Sequence, residues 1–276
     1  MYNNYFNNKT VLVTGGGSGI GRAVCIKLAE CGALVTCSDI SLEKAEETAK
    51  LAPGGNLAAR KLDVTTSGDY DAAISAIVKV HGQLDLVFNN AGVAPSGELR
   101  DLDIRHFKQV LDINFFGVLN GSQAAYRQML KQGSGQIVNT ASLAGLMPVI
   151  PLMAPYCASK HAVVNYTRTL RMEAKSFNIK ANVICPGFVE TPLIDDAQIV
   201  NSKPGWTREA GKDFGPGLPV EKAADFILAG VAANMEIIIF PRVAKLMRLF
   251  SKLFPRLYVK LAAKSLGVFR EKYRIG

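Results

Sequence analysis

The chain has 276 residues, 49% of them hydrophobic and 20% charged, with a formal net charge of +9. That length suits one large α/β domain, or at most two small ones, and no apolar run reaches the ~18 residues that read as a membrane span. Ten of the 32 Lys and Arg residues follow residue 240 beside a single acid, Glu271, while residues 1–240 carry 22 basic and 22 acidic side chains. The body is therefore neutral. The basic excess marks a distinct tail and does not argue for a nucleic-acid-binding fold. Five cysteines (Cys25, Cys31, Cys37, Cys157, Cys185) form no Cys-x-x-Cys pair and sit in apolar stretches. They point to reduced packing thiols in a cytoplasmic protein, with no zinc site. The N-terminus lacks the basic and apolar regions of a signal peptide.

Lys9–Thr14 is predicted as a strand, ending at Thr14-Gly-Gly-Gly-Ser-Gly-Ile-Gly21, and Ile20–Cys31 as a helix. Strand, glycine turn and helix is an arrangement that lets backbone N–H groups approach a pyrophosphate at a helix N-terminus. Gly15, Gly19 and Gly21 hold the key positions; the bland alternative is a flexible glycine loop. Ala33–Ser38 is the second strand. Asp39 follows it about 20 residues past the glycines, where a carboxylate accepts from the ribose 2′-OH and repels a 2′-phosphate. No Arg or Lys lies in the glycine loop or closely follows Asp39, so NAD is favoured over NADP. The competing role for Asp39 is as an N-cap for Ser41–Leu51.

Leu57–Leu62 is a third strand, followed by Asp63-Val64, and Gly68–His81 a helix. Leu84–Phe88 is a fourth, fully apolar strand suited to the middle of a parallel sheet, running into Asn89-Asn90-Ala91-Gly92. Asp101–Met129 carries two helical patterns with Asn114 between or within them. Gly135–Thr140 is a fifth strand ending at Ala141-Ser142. A helix over Pro155–Phe177 carries Tyr156 and Lys160, four residues apart and so on one face. An ammonium near a phenol favours the phenolate, which lowers a pKa normally near 10 and suits Tyr156 to proton transfer. Ile179–Ile184 is a sixth strand before Pro186-Gly187. Phe188–Pro219 reads as a lid or binding loop, Val220–Asn234 as a helix, and Glu236–Phe240 as a seventh strand. The alternation predicts an α/β fold, a parallel sheet of about seven strands covered on both faces.

These residues resemble the short-chain dehydrogenase/reductase family over roughly residues 8–240. The matching elements are Thr14-Gly15-x-x-x-Gly19-x-Gly21, Asn89-Asn90-Ala91-Gly92, Asn114, Ser142, Tyr156-x-x-x-Lys160 and Pro186-Gly187. The resemblance implies a Rossmann-type doubly wound domain and an NAD(P)-dependent oxidoreductase acting between a secondary alcohol and a ketone. It makes Tyr156 the general acid/base and Lys160 the residue that tunes it and binds the nicotinamide ribose. Ser142 would hold the substrate oxygen, and Asn114 a water in a proton relay. Ser18 and Ile20 fall in the phosphate turn, Asp63 and Val64 at the adenine, Asn90 and Gly92 along a ribose wall. Pro186, Gly187, Val189 and Thr191 fall near the nicotinamide carboxamide. A homodimer or homotetramer is the implied assembly. A 3-oxoacyl-type reductase and a catalytically silent NAD-binding sensor or scaffold are the competing functions.

Two features depart from the family pattern. Gly145–Ala154, before Tyr156, is strongly apolar and suggests a hydrophobic substrate of steroid, retinoid or lipid type. The last strand runs into a basic tail, residues 241–276, set apart from the 1–240 domain. There Lys245, Arg248, Lys252, Arg256, Lys260 and Lys264 alternate with Leu246, Leu249, Phe250, Leu253, Leu257 and Leu261. This is an amphipathic helical pattern, divided or kinked by Pro255. Its two readings are a peripheral membrane contact through residues 242–265 and a helix packed on the domain or on a partner subunit. His81, His106 and His161 are scattered and read as surface or packing residues.

Overall fold

A computed structural model describes residues 2–195, 199–203, 205 and 217–275. Seven strands form one parallel sheet: β1 (Thr10–Thr14), β2 (Leu34–Asp39), β3 (Leu57–Lys61), β4 (Leu86–Asn89), β5 (Gly135–Thr140), β6 (Ile179–Pro186) and β7 (Ile237–Phe240). Their spatial order is 3-2-1-4-5-6-7. Every residue of β1 and β4 is buried, as continuous apolar strands in a sheet covered on both faces must be. The order reverses between β1 and β4, and in such sheets the crevice beyond the strand ends at that switch point is where ligands bind.

The helices between them are α1 (Asn3–Phe6), α2 (Gly19–Glu30), α3 (Leu42–Leu51), α4 (Ser67–His81), α5 (Ile104–Leu111), α6 (Gly117–Gln132), α7 (Ala154–Ala174), α8 (Pro192–Asp195) and α9 (Val220–Ala232). One core face packs α2 and α9 with Phe6, Leu28, Phe88 and Ile227; the other packs α4 and α6 with Tyr70, Met129 and Leu170 of α7. Short α1 carries no strong periodicity, yet it places Phe6 at zero exposure. Ser41 caps α3, accepting from the Lys44 N–H at 3.2 Å. His106 belongs to the capping box of α5 with Asp103, and the His161 ring lies 2.9 Å from the Cys157 carbonyl. Both histidines are structural, and among the described residues no His, Cys, Asp and Glu side chains cluster to hold a metal. All five cysteines are free.

Beyond β7 the tail folds as two helices, α10 (Arg242–Leu253) and α11 (Pro255–Lys272), divided at Pro255. They lie against the body through a set of residues different from the leucine stripe. Ala244, Ser251 and Phe269 are buried, Met247 packs against Leu143 and Met147, and Phe269 packs against Leu152. Full burial of such a phenylalanine stabilises by roughly 1.5–3 kcal/mol. Tyr258 Oη donates to the Val149 carbonyl at 2.7 Å. At the far end Arg270 Nε donates to Glu98 at 2.7 Å, and Arg274 Nη1 bridges Glu98 at 2.7 Å and Asp101 at 2.5 Å. No helix among the described residues is long and apolar enough to cross a membrane.

Candidate active site

A cleft of about 1090 Å³ opens at the switch point, just above the usual range for small-molecule sites. Of the residues singled out from sequence, all except Gly21 and Asn114 line it. Gly21 lies beneath, where a Cβ would collide with the Gly15 carbonyl oxygen. Gly15 has φ +63°, and a Cβ there would lie 2.8 Å from Ala91 Cα. Only glycine permits this turn to sit so close to the end of β4.

Asp39 ends β2 on the cleft wall. Its Oδ2 accepts from the Gly17 N–H at 3.0 Å and its Oδ1 from the Ser41 N–H at 3.1 Å. The carboxylate therefore braces the glycine turn and leaves the capping of α3 to Ser41. A cation from outside the glycine loop does approach the turn: Arg22 Nη2 donates to the Gly17 carbonyl and pairs with Glu47 at 3.1 Å, and its Nε bonds Thr48. Its position one turn into α2 hid it from a scan of the loop alone.

Asn114 sits in a π-helical turn, Asp112–Phe116, between α5 and α6. Such a turn inserts one residue into the helix and is favoured where a side chain must be re-aimed. Asn114 is fully buried. Its Oδ1 accepts from the Val93 N–H at 2.8 Å, and its Nδ2 donates to the Val93 carbonyl at 2.9 Å and to Ser159 Oγ at 3.2 Å. The side chain thus fixes the 92–93 backbone to α7 and does not itself line the cleft. Asn90 lines the cleft and bonds the Thr14 carbonyl, whereas Asn89 turns inward to Ser122 and Asn139.

Pro155 opens α7 in its first turn, which presents Tyr156 and Lys160 on the cleft side. Lys160 Nζ donates to the Thr140 carbonyl at 2.9 Å and lies 5.6 Å from the Tyr156 ring centre. Burial governs both groups. It pushes the Tyr156 phenol up to about 12, partly offset by the Ser142 hydroxyl beside it, and pulls the Lys160 ammonium down to about 8. The phenol lowered by its lysine, expected from the sequence, is not found: burial disfavours the charged form of each group, and Lys160 is not among the causes of the Tyr156 shift. Ser142 Oγ also accepts from the Ala144 N–H at 3.1 Å. Cys157 does not line the cleft but packs against the cluster of Ala94, Ala144 and Tyr156, its thiol pushed up to about 11 by burial.

The outer half of the cleft is apolar. Ile150, Pro151, Leu152 and Met153 supply one wall, as the composition of Gly145–Ala154 predicts. Leu152 holds φ +68°, a strained value for a leucine. Its carbonyl accepts from the Gly97 N–H at 2.8 Å and its side chain packs on Phe269. Of the expected lid, Phe188, Val189, Thr191, Pro192, Leu193 and Ile199 line the cleft; residues 196–198, 204 and 206–216 lie outside the described part. The tail, whose place the sequence left open, supplies a further wall. Met247 and Phe250, three residues apart, and Tyr258, Leu261 and Val268, three and seven apart, face the same cavity, and those helical spacings were the available signal.

The glycine turn, the Asp39 carboxylate and a cavity of this size fit a dinucleotide. The short chain dehydrogenase family profile matches residues 9–199. The cyclohexanol dehydrogenase of Acinetobacter sp. (strain SE19) is 38% identical over 212 residues, 74% of this chain and 83% of that protein. The levodione reductase of Leifsonia aquatica is 35% identical over 214 residues, 76% of this chain and 79% of that protein. A crystal structure of a short chain dehydrogenase/reductase from Burkholderia phymatum in complex with NAD superposes with a TM-score of 0.81 at 28% identity, covering 92% of this chain and 96% of that one. The chain belongs to the short-chain dehydrogenase family, as an oxidoreductase of the alcohol dehydrogenase and ketone reductase kind.

Proposed function

We propose that the protein interconverts a hydrophobic secondary alcohol and its ketone with NAD. The observation that carries this reading is the placement of Ser142, Tyr156 and Lys160 at the meeting point of the glycine-turn half and the apolar half of one cleft. NAD, when bound, supplies the hydride acceptor or donor. In this reading Gly15, Ser18, Gly19 and Ile20 cradle its pyrophosphate, with Gly21 beneath them. Asp39 accepts from the adenosine ribose and disfavours a 2′-phosphate; Asp63 and Val64 flank the adenine, and Asn90 and Gly92 form the ribose wall. Pro186, Gly187, Val189 and Thr191 border the nicotinamide end.

The chain's own chemistry is proton handling and exclusion of water. In reduction the Tyr156 phenol donates its proton to the substrate oxygen and is left as phenolate; in oxidation the phenol first loses its own proton and the resulting phenolate takes the alcohol proton, while the Ser142 hydroxyl fixes the substrate oxygen. Lys160 holds a cation beneath the phenol and offers donors to the nicotinamide ribose. Asn114 is a positioning residue for the 92–93 backbone. The apolar wall of Ile150, Leu152 and Met153, roofed by Phe250, Tyr258 and Val268, favours a substrate of low polarity. Phe116, Met172 and Phe177 are 47%, 74% and 50% exposed on the α6–α7 side; burying them suits the expected homodimer or homotetramer. The free cysteines suit a reducing, cytoplasmic setting.

The test is a panel of cyclic and long-chain secondary alcohols and ketones, read by nicotinamide absorbance with NAD and with NADP. Turnover of apolar cyclic or chain substrates with NAD is expected. Binding of NAD with no turnover of any alcohol or ketone would favour the silent sensor instead.

A further inference from the structure

The outward side of the α10–α11 hairpin is not covered. On α10, Leu246, Leu249 and Leu253 are spaced three and four residues apart and are 65%, 52% and 60% exposed, while Ala244, Met247 and Ser251 face the body. On α11, Leu257 and Leu261 continue the apolar surface at 48% and 51% exposure. Residues 242–265 carry seven Lys and Arg and no acid, and none of the seven forms an ion pair among the described residues. Lys245, Arg248 and Lys252 line, with Ile239 and Leu249, a shallow depression of about 340 Å³.

We propose that this face docks on an anionic lipid bilayer and that the cleft exchanges its hydrophobic substrate with that surface. The second half rests on the function proposed above. An apolar ridge set among unpaired cations matches the acyl boundary and the phosphate layer of such a membrane. A second copy of the chain fits less well, since a two-fold contact would set this cationic face against itself. The ridge and the cleft are continuous: Leu261, half exposed on the ridge, also lines the cavity, as does Lys264 beside it. A molecule leaving the bilayer between the two helices meets apolar side chains from Leu261 inward to Met153 and Tyr156.

The experiment is co-sedimentation of the full chain with vesicles of phosphatidylcholine alone and of phosphatidylcholine with roughly one-third phosphatidylserine. Two variants accompany it, Leu246→Glu/Leu249→Glu/Leu253→Glu and Lys245→Glu/Lys252→Glu, whose positions lie outside the substrate cleft. The expected result is binding to the phosphatidylserine vesicles about tenfold or more above phosphatidylcholine, reversed at high salt. Both variants should lose that binding by about tenfold or more, yet keep the wild-type melting temperature and turnover of a small water-soluble secondary alcohol. Three results overturn the proposal: no vesicle binding by the wild type, equal binding by wild type and variants, or a concentration-dependent dimer abolished by the leucine substitutions in place of lipid binding. Vesicle binding without turnover of any alcohol leaves the docking face standing and removes the function proposed above.

Discussion

The Lys160 ammonium lies 5.6 Å from the centre of the Tyr156 ring, yet its hydrogen bond goes to the Thr140 carbonyl. The pair is held by the fold before any ligand is considered, with Lys160 near 8 and Tyr156 near 12. Burying an ammonium costs stability, and that cost falls on the folded protein whether or not it is turning over.

The sign of the pH effect follows. Unfolded, Lys160 keeps its proton to its ordinary 10.5; folded, only to about 8. Between these values the unfolded chain binds more protons, so stability rises with pH, by up to about 3 kcal/mol from this group. Above pH 10 Tyr156 opposes this, because its folded value of about 12 exceeds its ordinary 10 and the unfolded phenol ionises first. Lys160→Met should be more stable than wild type at pH 7, less about 1 kcal/mol for the lost Thr140 bond, and should lack the rise between pH 8 and 10. Urea unfolding across that range checks it; an unchanged slope in the variant contradicts it.

Asp39 braces the Gly17 N–H and lines the cleft, and in the function proposed above its carboxylate sets the preference for NAD. Asp39→Ser should weaken NAD binding by roughly ten- to a hundredfold, the worth of a charge-assisted hydrogen bond, and narrow its advantage over NADP. Calorimetric titration with both nucleotides reads this. An unchanged ratio would move the preference elsewhere, with Arg22 the nearest cation to test.

Glu98 and Asp101 hold the end of α11 over the cleft through Arg270 and Arg274. Burial raises the Glu98 carboxyl, but hydrogen bonds from Arg100 and Arg270 win and hold it below the usual range; hydrogen bonds from Arg274 and Asn201 pull Asp101 down to about 2. Both contribute stability that is present above their ordinary values and lost as pH falls through the depressed ones. Glu98→Gln should cost on the order of 1–3 kcal/mol and speed amide exchange in residues 255–272. Unchanged exchange there would mean the apolar contacts of Phe269 hold the helix alone.

The central strands were legible because a doubly covered parallel sheet favours apolar runs, and β1, β4, β5 and β6 run on into Gly15, Asn89-Asn90, Ser142 and Gly187, small or polar residues that leave room at the cleft. Asp39 and the Tyr156–Lys160 turn were legible for the same reason: position after a strand, or one helical turn, fixes where they point. The π-helical turn at Asn114 was not, since it depends on packing against Val93 and Ser159 and not on local preference. Nor was the Glu98–Arg270 link, which joins residues 172 apart in sequence. The tail's amphipathic period was visible, but which of its faces meets the body was decided by Ala244, Met247 and Phe269, a set that hydrophobicity alone ranks no higher than the leucines left outside.

In the function proposed above, Tyr156 Oη carries the substrate proton. Steady-state turnover of the best secondary alcohol by Tyr156→Phe, with NAD affinity measured on the same preparation, tests it most directly. The expected kcat is lower by roughly 10²–10⁴, with NAD affinity within about threefold of wild type. Turnover retained within about tenfold of wild type would contradict it and place the proton transfer on another group.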